Sequence, residues 1–171
     1  MTTITSGVFP NKAKAEEVIN QLRDINISDK DISCVYKDHE GDVKDSQTGE
    51  KVGGGAVAGA TTGAVLGTIA GLVVANGILP GLGTLFVAGP LATALGLSGA
   101  AATTVAGAAT GAAAGGLIGG LSQLGVSDED AKLYENHVRR GGVLVVSRAD
   151  DASAMDIFME NGAEEVRQYQ K

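Results

Sequence analysis

Hydrophobic and polar positions obey two different rules along this chain: near both ends they alternate or recur at helical spacing, and in the middle they lose all contrast. Thr2 to Phe9 is short and β-branched, with Ile4 and Val8 on one parity, which predicts a strand. Pro10-Asn11 breaks it. From Lys12 to Ile25 the apolar Ala15, Val18, Ile19, Leu22 and Ile25 fall at helical spacing, while Lys12, Lys14, Glu16, Glu17 and Arg23 take the other faces. That spacing predicts an amphipathic helix with one buried stripe. After the turn residues Asn26 to Asp29, Ile32, Cys34 and Tyr36 alternate with Ser33, Val35 and Lys37 as a second strand. The unit is β-α-β, and its crossover should be right-handed.

The far end repeats the theme. Ser127 with Asp130 three residues on resembles a capping box, and Asp128 to Asp130 place negative charge at the positive end of a helix dipole. Arg139-Arg140 and Gly141-Gly142 make a consistent stop. Val143 to Ser147 reads as a buried strand, Asp150 or Asp151 caps a helix with Ala154, Met155, Ile157 and Phe158 inward, and Gly162 ends it as the residue past the C-cap. Glu164 to Tyr169 is the last strand. Setting aside the middle and its trailing helix, the order is β-α-β then β-α-β, the ferredoxin-like pattern of a four-stranded sheet with two helices on one face. Neither half has enough apolar residues to bury itself, so the two must meet.

Between them, after the polar linker Asp38 to Lys51, Val52 to Ser127 contains no Asp, Glu, Lys or Arg. Within it Gly55, Gly59, Gly63, Gly67 and Gly71 recur every four residues, as do Gly107, Gly111, Gly115 and Gly119. Each Gly costs a helix about 1 kcal/mol relative to Ala, so a ridge of them needs a compensating contact, which close approach of a second helix supplies. Gly53 to Ala75 as a helix would be about 34 Å long, enough for a hydrocarbon core of ~30 Å, and Ala101 to Leu124 is long enough too. Asn76 to Ser98, interrupted at Pro80 and Pro90, reads as the turn between them. The expected class is therefore α+β: residues 1–51 and 128–171 form the ferredoxin-like domain and its linker, and 52–127 an uncharged glycine-zipper helical hairpin. That hairpin belongs in lipid or in the buried core of a soluble homo-oligomer.

Charge and composition narrow the partners. A net charge of −7 argues against nucleic acid, because phosphate binding needs a basic stripe. One cysteine, Cys34, excludes an internal disulfide and fits a reducing compartment. Met1 to Phe9 lacks the basic and apolar regions of a cleaved export signal. Asp38, His39, Glu40, Asp42 and Asp45 could gather around a divalent cation, but their spacing matches no EF-hand and a solvated acidic loop is the reading preferred. His137 has no Ser, Cys or Asp partner placed beside it by sequence, and Cys34 reads as a packed thiol. Gly81-Leu82-Gly83 follows a proline and lacks the Lys-Ser/Thr of a phosphate loop. No catalytic residue, metal or cofactor is expected.

The segments Val52-Gly-Gly-Gly-Ala-Val-Ala-Gly-Ala60, Leu79-Pro-Gly-Leu-Gly83, Val87-Ala-Gly-Pro-Leu-Ala92 and Arg139-Arg-Gly-Gly-Val-Leu-Val145, in that order between two β-α-β units, resemble a bacterial general-stress and low-temperature-induced protein family. The resemblance implies a role in stress response and membrane association, and carries no catalytic residue across. The expectation is a non-enzymatic protein whose soluble, cytoplasmic domain is held on a membrane-associated hairpin that binds itself and lipid. A soluble self-assembling particle or filament is the alternative.

Overall fold

The computed structural model describes residues 2–37, 65–69, 72–79, 83–95, 116–148 and 153–170. Both flanking units form where the patterning places them. Strand β1 is Thr3–Phe9, helix α1 Lys12–Asp24 and strand β2 Ile32–Lys37, with a 3-10 turn at Asp29–Asp31 before it. Helix α1 starts at Asn11, whose side chain accepts a hydrogen bond from the Lys14 amide at 2.9 Å, satisfying one of the orphan donors of the first turn.

Within the charge-free block, the described residues form strands β3 Val65–Ile69, β4 Leu72–Leu79 and β5 Gly83–Ala88, and helices α2 Pro90–Ala94 and α3 Gly116–Leu124. The chain closes with helix α4 Asp128–Arg139, strand β6 Val143–Arg148, helix α5 Ser153–Glu160 and strand β7 Glu164–Gln170. The helix expected over Gly53 to Ala75 is thus extended where it is described. A physical reason lies in the side chains: Val65, Thr68, Ile69, Val73, Val74 and Ile78 are β-branched and lose rotamer freedom in a helix, and the glycines among them add a backbone cost.

The molecule is α+β, with a five-stranded antiparallel sheet, β5-β2-β6-β1-β7, packed against helices; the backbone ladder continues outward from β5 through β4 to β3. Register is fixed by pairs such as Val8↔Leu144, Ser33↔Val146 and Val35↔Val87. Burial along β1, β2 and β6 is nearly continuous rather than alternating, because both faces are covered. On one face Ala15, Val18, Ile19 and Leu22 of α1 and Ala154 and Phe158 of α5 pack on Phe9, Ile32, Cys34, Val143 and Val145. Rings Phe9 and Phe158 meet tilted at 58°, centroids 5.5 Å apart. On the other face Leu91 and Leu95 behind β5, Leu117 and Leu121 of α3, and Tyr134 and Val138 of α4 pack on Ile4, Val8, Val35, Leu85, Val87, Leu144 and Val146.

That second layer was not anticipated, and it draws on the charge-free block. A buried Leu is worth about 1.5–3 kcal/mol, so Leu85, Leu91, Leu95, Leu117 and Leu121, each fully buried, make both flanks of the block part of the folded core. Helices α1, α3, α4 and α5 end alike, with Asn26, Gly125, Gly141 and Gly162 at positive φ and the next amide returning to the last turn, as Val126 N–H does to Leu121 O at 3.1 Å.

Candidate functional site

The expected helix-packing glycines divide sharply. Gly67 lies on β3 and Gly119 on α3, whereas Gly55, Gly59, Gly63, Gly71, Gly107, Gly111 and Gly115 lie outside the described residues. On α3, Gly120, next to Gly119, lets a neighbour approach: a Cβ there would stand 2.6 Å from Leu95 Cδ2 and 3.2 Å from Leu91 Cδ1.

The turn into α2 is as tightly fitted. Gly89 sits at φ +75, and a Cβ would come within 1.9 Å of the Ile32 carbonyl oxygen, so β5 turns directly over the β2 backbone. Leu91 N–H, one of the first amides of α2, donates to buried Ser33 Oγ at 3.1 Å, so a sheet side chain satisfies the helix end. Sheet and block flank are joined by polar as well as apolar contacts.

A polar seam joins α4 to β1 and β7. Fully buried Tyr134 donates its hydroxyl proton to Glu165 O at 2.8 Å, and its oxygen is 2.8 Å from Ser6 Oγ, leaving Ser6 to donate. Glu165 has φ 53 and falls where the β1–β7 register shifts between Ser6 and Val8, so the hydroxyl holds a bulge. Burial pushes the Tyr134 hydroxyl pKa up, against the Ser6 hydrogen bond. Farther along, Tyr169 donates to Asp130 Oδ2 at 2.8 Å. The Ser127 hydroxyl donates to the same oxygen at 2.7 Å and accepts from the Asp130 amide at 3.2 Å, completing the helix cap read from sequence.

Ser127 chiefly, with Tyr169 and Arg167 helping against desolvation, holds the Asp130 carboxyl below its ordinary pKa. Burial first, then the Asp130 hydrogen bond, drives Tyr169 in the opposite direction. Nothing in the chain's local pattern links Ser6 to Tyr134, 128 residues apart, so this seam was invisible to sequence reasoning.

The remaining candidates separate rather than converge. His137 Nδ1 lies 3.7 Å from Glu164 Oε2. Cys34 is enclosed by the α1 face, and burial foremost, with Glu16 adding and Lys12 opposing, pushes its thiol up to about 12. Asp38, His39, Glu40, Asp42, Asp45 and Gly81 lie outside the described residues, while Gly83 opens β5. Among the described residues no group of three His, Cys, Asp or Glu could hold a metal, and no helix is long and apolar enough to cross a membrane.

Two clefts open at opposite ends of the sheet. One, about 330 Å³, lies between Thr2, Asp31, Gln123 and Arg148, where Arg148 Nη2 meets Asp31 Oδ1 at 3.2 Å. The other, about 370 Å³, is lined by Asn11, Lys12, Tyr36, Lys37 and Gly141. No family model, no curated protein and no solved structure matches the chain.

Proposed function

We propose that this is a non-enzymatic, self-associating stress-response protein: a ferredoxin-like unit carries the charge-free segment, which packs with copies of itself at a membrane. The observation that carries the reading is the complete absence of charge from Val52 to Ser127 in a chain of net charge −7. One central Lys or Asp in lipid costs about 2.5–3.5 kcal/mol, and a segment held away from water is where such exclusion matters. The strand order β7-β1-β6-β2, with α1 and α5 together on one face, supports the ferredoxin-like description. Within this reading, Gly55, Gly59, Gly63, Gly107, Gly111 and Gly115, which lie outside the described residues, are the positions through which copies of the segment pack.

A second reading is a soluble assembly with the block as its protein core; it draws support from Leu85, Leu91, Leu95, Leu117 and Leu121, whose burial within the one chain shows that flanks of the block pack on protein. Flotation of the full chain with vesicles, followed by a carbonate wash, separates the two: retention on the vesicles supports the membrane, and release as large particles the soluble assembly. In either, Gly63→Leu with Gly111→Leu reduces the assembled fraction. Unchanged assembly in that double variant would remove the zippers from the mechanism.

A further inference from the structure

We infer that β7 is a releasable strand: acid frees it from helix α4 as a unit while the rest of the sheet stays folded, and its departure bares the outer edge of β1. β7 ends the strand order and is the least covered member of the five-stranded sheet, with Glu164, Glu165, Arg167, Gln168 and Gln170 exposed and Val166 and Tyr169 half-buried, where β1 and β6 are buried almost throughout. Local opening is drawn from such segments, poor in buried apolar contacts and rich in exposed backbone hydrogen bonds. Glu165 adds a left-handed φ of 53 beside the register shift against β1, a conformation that an L side chain disfavours. A pivot stands at the near end: Gly162, at φ +74, has nothing within 4 Å of where a Cβ would be.

What holds β7 down is one polar face of α4. Asp130, Tyr134 and His137, at spacings that put them on one side of the helix, meet β7 in turn. Tyr134 holds the Glu165 carbonyl at 2.8 Å, His137 Nδ1 stands 3.7 Å from Glu164 Oε2, and Asp130 takes the far end. Two β7 side chains converge on that carboxylate: Tyr169 donates to Oδ2 at 2.8 Å, and the Arg167 guanidinium lies 3.5 Å from Oδ1. Ser127 also donates to Oδ2, so a proton placed on either oxygen of Asp130 confronts a donor or a cation. Its pKa, held low chiefly by Ser127, defers that event to acid solution: the contact is whole above the ordinary carboxylate range and is lost as pH falls through the folded value. The other charges along the strand do not replace it. Arg167 has Glu165 as a second partner, at 3.5 Å within β7 itself, and a protonated His137 only tightens its contact with Glu164. Once freed, β1 presents Thr3 to Phe9 as an unpaired ladder edge on which an extended strand can add.

Hydrogen exchange of the full chain, read peptide by peptide as protection against intrinsic rates at about pH 6 and about pH 3, tests the release in wild type, D130N, Y169F and D128N. Asp128 sits in the same first turn of α4 but bonds Ser122 rather than β7, so D128N makes the same charge change away from the latch. The expected wild-type result is a β7 about tenfold less protected than β6 at the higher pH, with a further fall of about tenfold at the lower pH that β6 does not share, the size of one hydrogen bond to a charged group. D130N shows the lower β7 protection already at the higher pH and no further fall. Y169F shows the same in weaker form, because Arg167 keeps its carboxylate, and D128N follows wild type. A β7 as protected as β6 at both pH values, or an acid fall shared by the whole sheet, would overturn the inference. So would an undiminished acid fall in D130N, which assigns release to Glu164 or Glu165 instead, or an equal loss in D128N.

Discussion

Tyr134→Phe removes one oxygen and should cost far more than its size implies. In the folded chain the hydroxyl donates to the Glu165 carbonyl and accepts from Ser6 Oγ, both at 2.8 Å, and Tyr134 and Ser6 are 0% exposed. The variant loses two hydrogen bonds of about 1 kcal/mol each and strands the Ser6 hydroxyl without an acceptor, for about 2–4 kcal/mol in all. Ser6→Ala loses only one bond and strands nothing charged, so about 1 kcal/mol is expected. The double variant should fall short of the sum by about 1 kcal/mol, because each single change already destroys the shared contact. Urea unfolding of the four proteins, followed by far-ultraviolet circular dichroism, measures the cycle. A Tyr134→Phe cost below about 0.5 kcal/mol, or strict additivity, would refute the buried seam.

Three other outcomes follow from the same packing. Gly89→Ala puts a methyl group against the Ile32 carbonyl at a left-handed φ and should destabilise by more than about 2 kcal/mol, whereas Gly120→Val meets only the side chains of Leu95 and Leu91, Leu95 the nearer, and should be partly rescued by Leu95→Ala; thermal melts of both compare backbone with side-chain clash. Asp130, whose folded pKa is lowered, stabilises the fold above the ordinary carboxylate pKa of about 4 and loses that contribution as pH falls through the folded value. Asp130→Asn should therefore flatten the loss of stability below about pH 4 in acid titrations, and an unchanged acid limb would contradict the Ser127–Asp130–Tyr169 arrangement. Cys34, with its thiol pushed up to about 12, should resist a disulfide reagent at pH 8 until urea unfolds the chain; immediate labelling would show that α1 does not cover it.

The flanking elements were legible because their contrast is local. The Ala15–Val18–Ile19–Leu22 stripe marks α1 almost to the residue, and Arg139 to Gly142 marks the end of α4. The second helical layer was hidden for the opposite reason: Leu91, Leu95, Leu117 and Leu121 lie in sequence that is apolar on every side, so no face stands out as inward. The close approach of α3 at Gly120 was hidden in the same way, because glycine, alanine and leucine surround it and only Leu91 and Leu95 folding back from the strand end give it a partner. The seam depends on Ser6, Tyr134 and Glu165 converging from three elements, and only the strand order β6-β1-β7 brings them together.

Sedimentation velocity of the full chain in detergent-free buffer, run with and without vesicles, asks most directly whether the charge-free block is kept from water by association. Large homo-oligomers alone, and vesicle-bound protein when lipid is present, are the predicted result. A single species of 17.1 kDa that ignores the vesicles would contradict it.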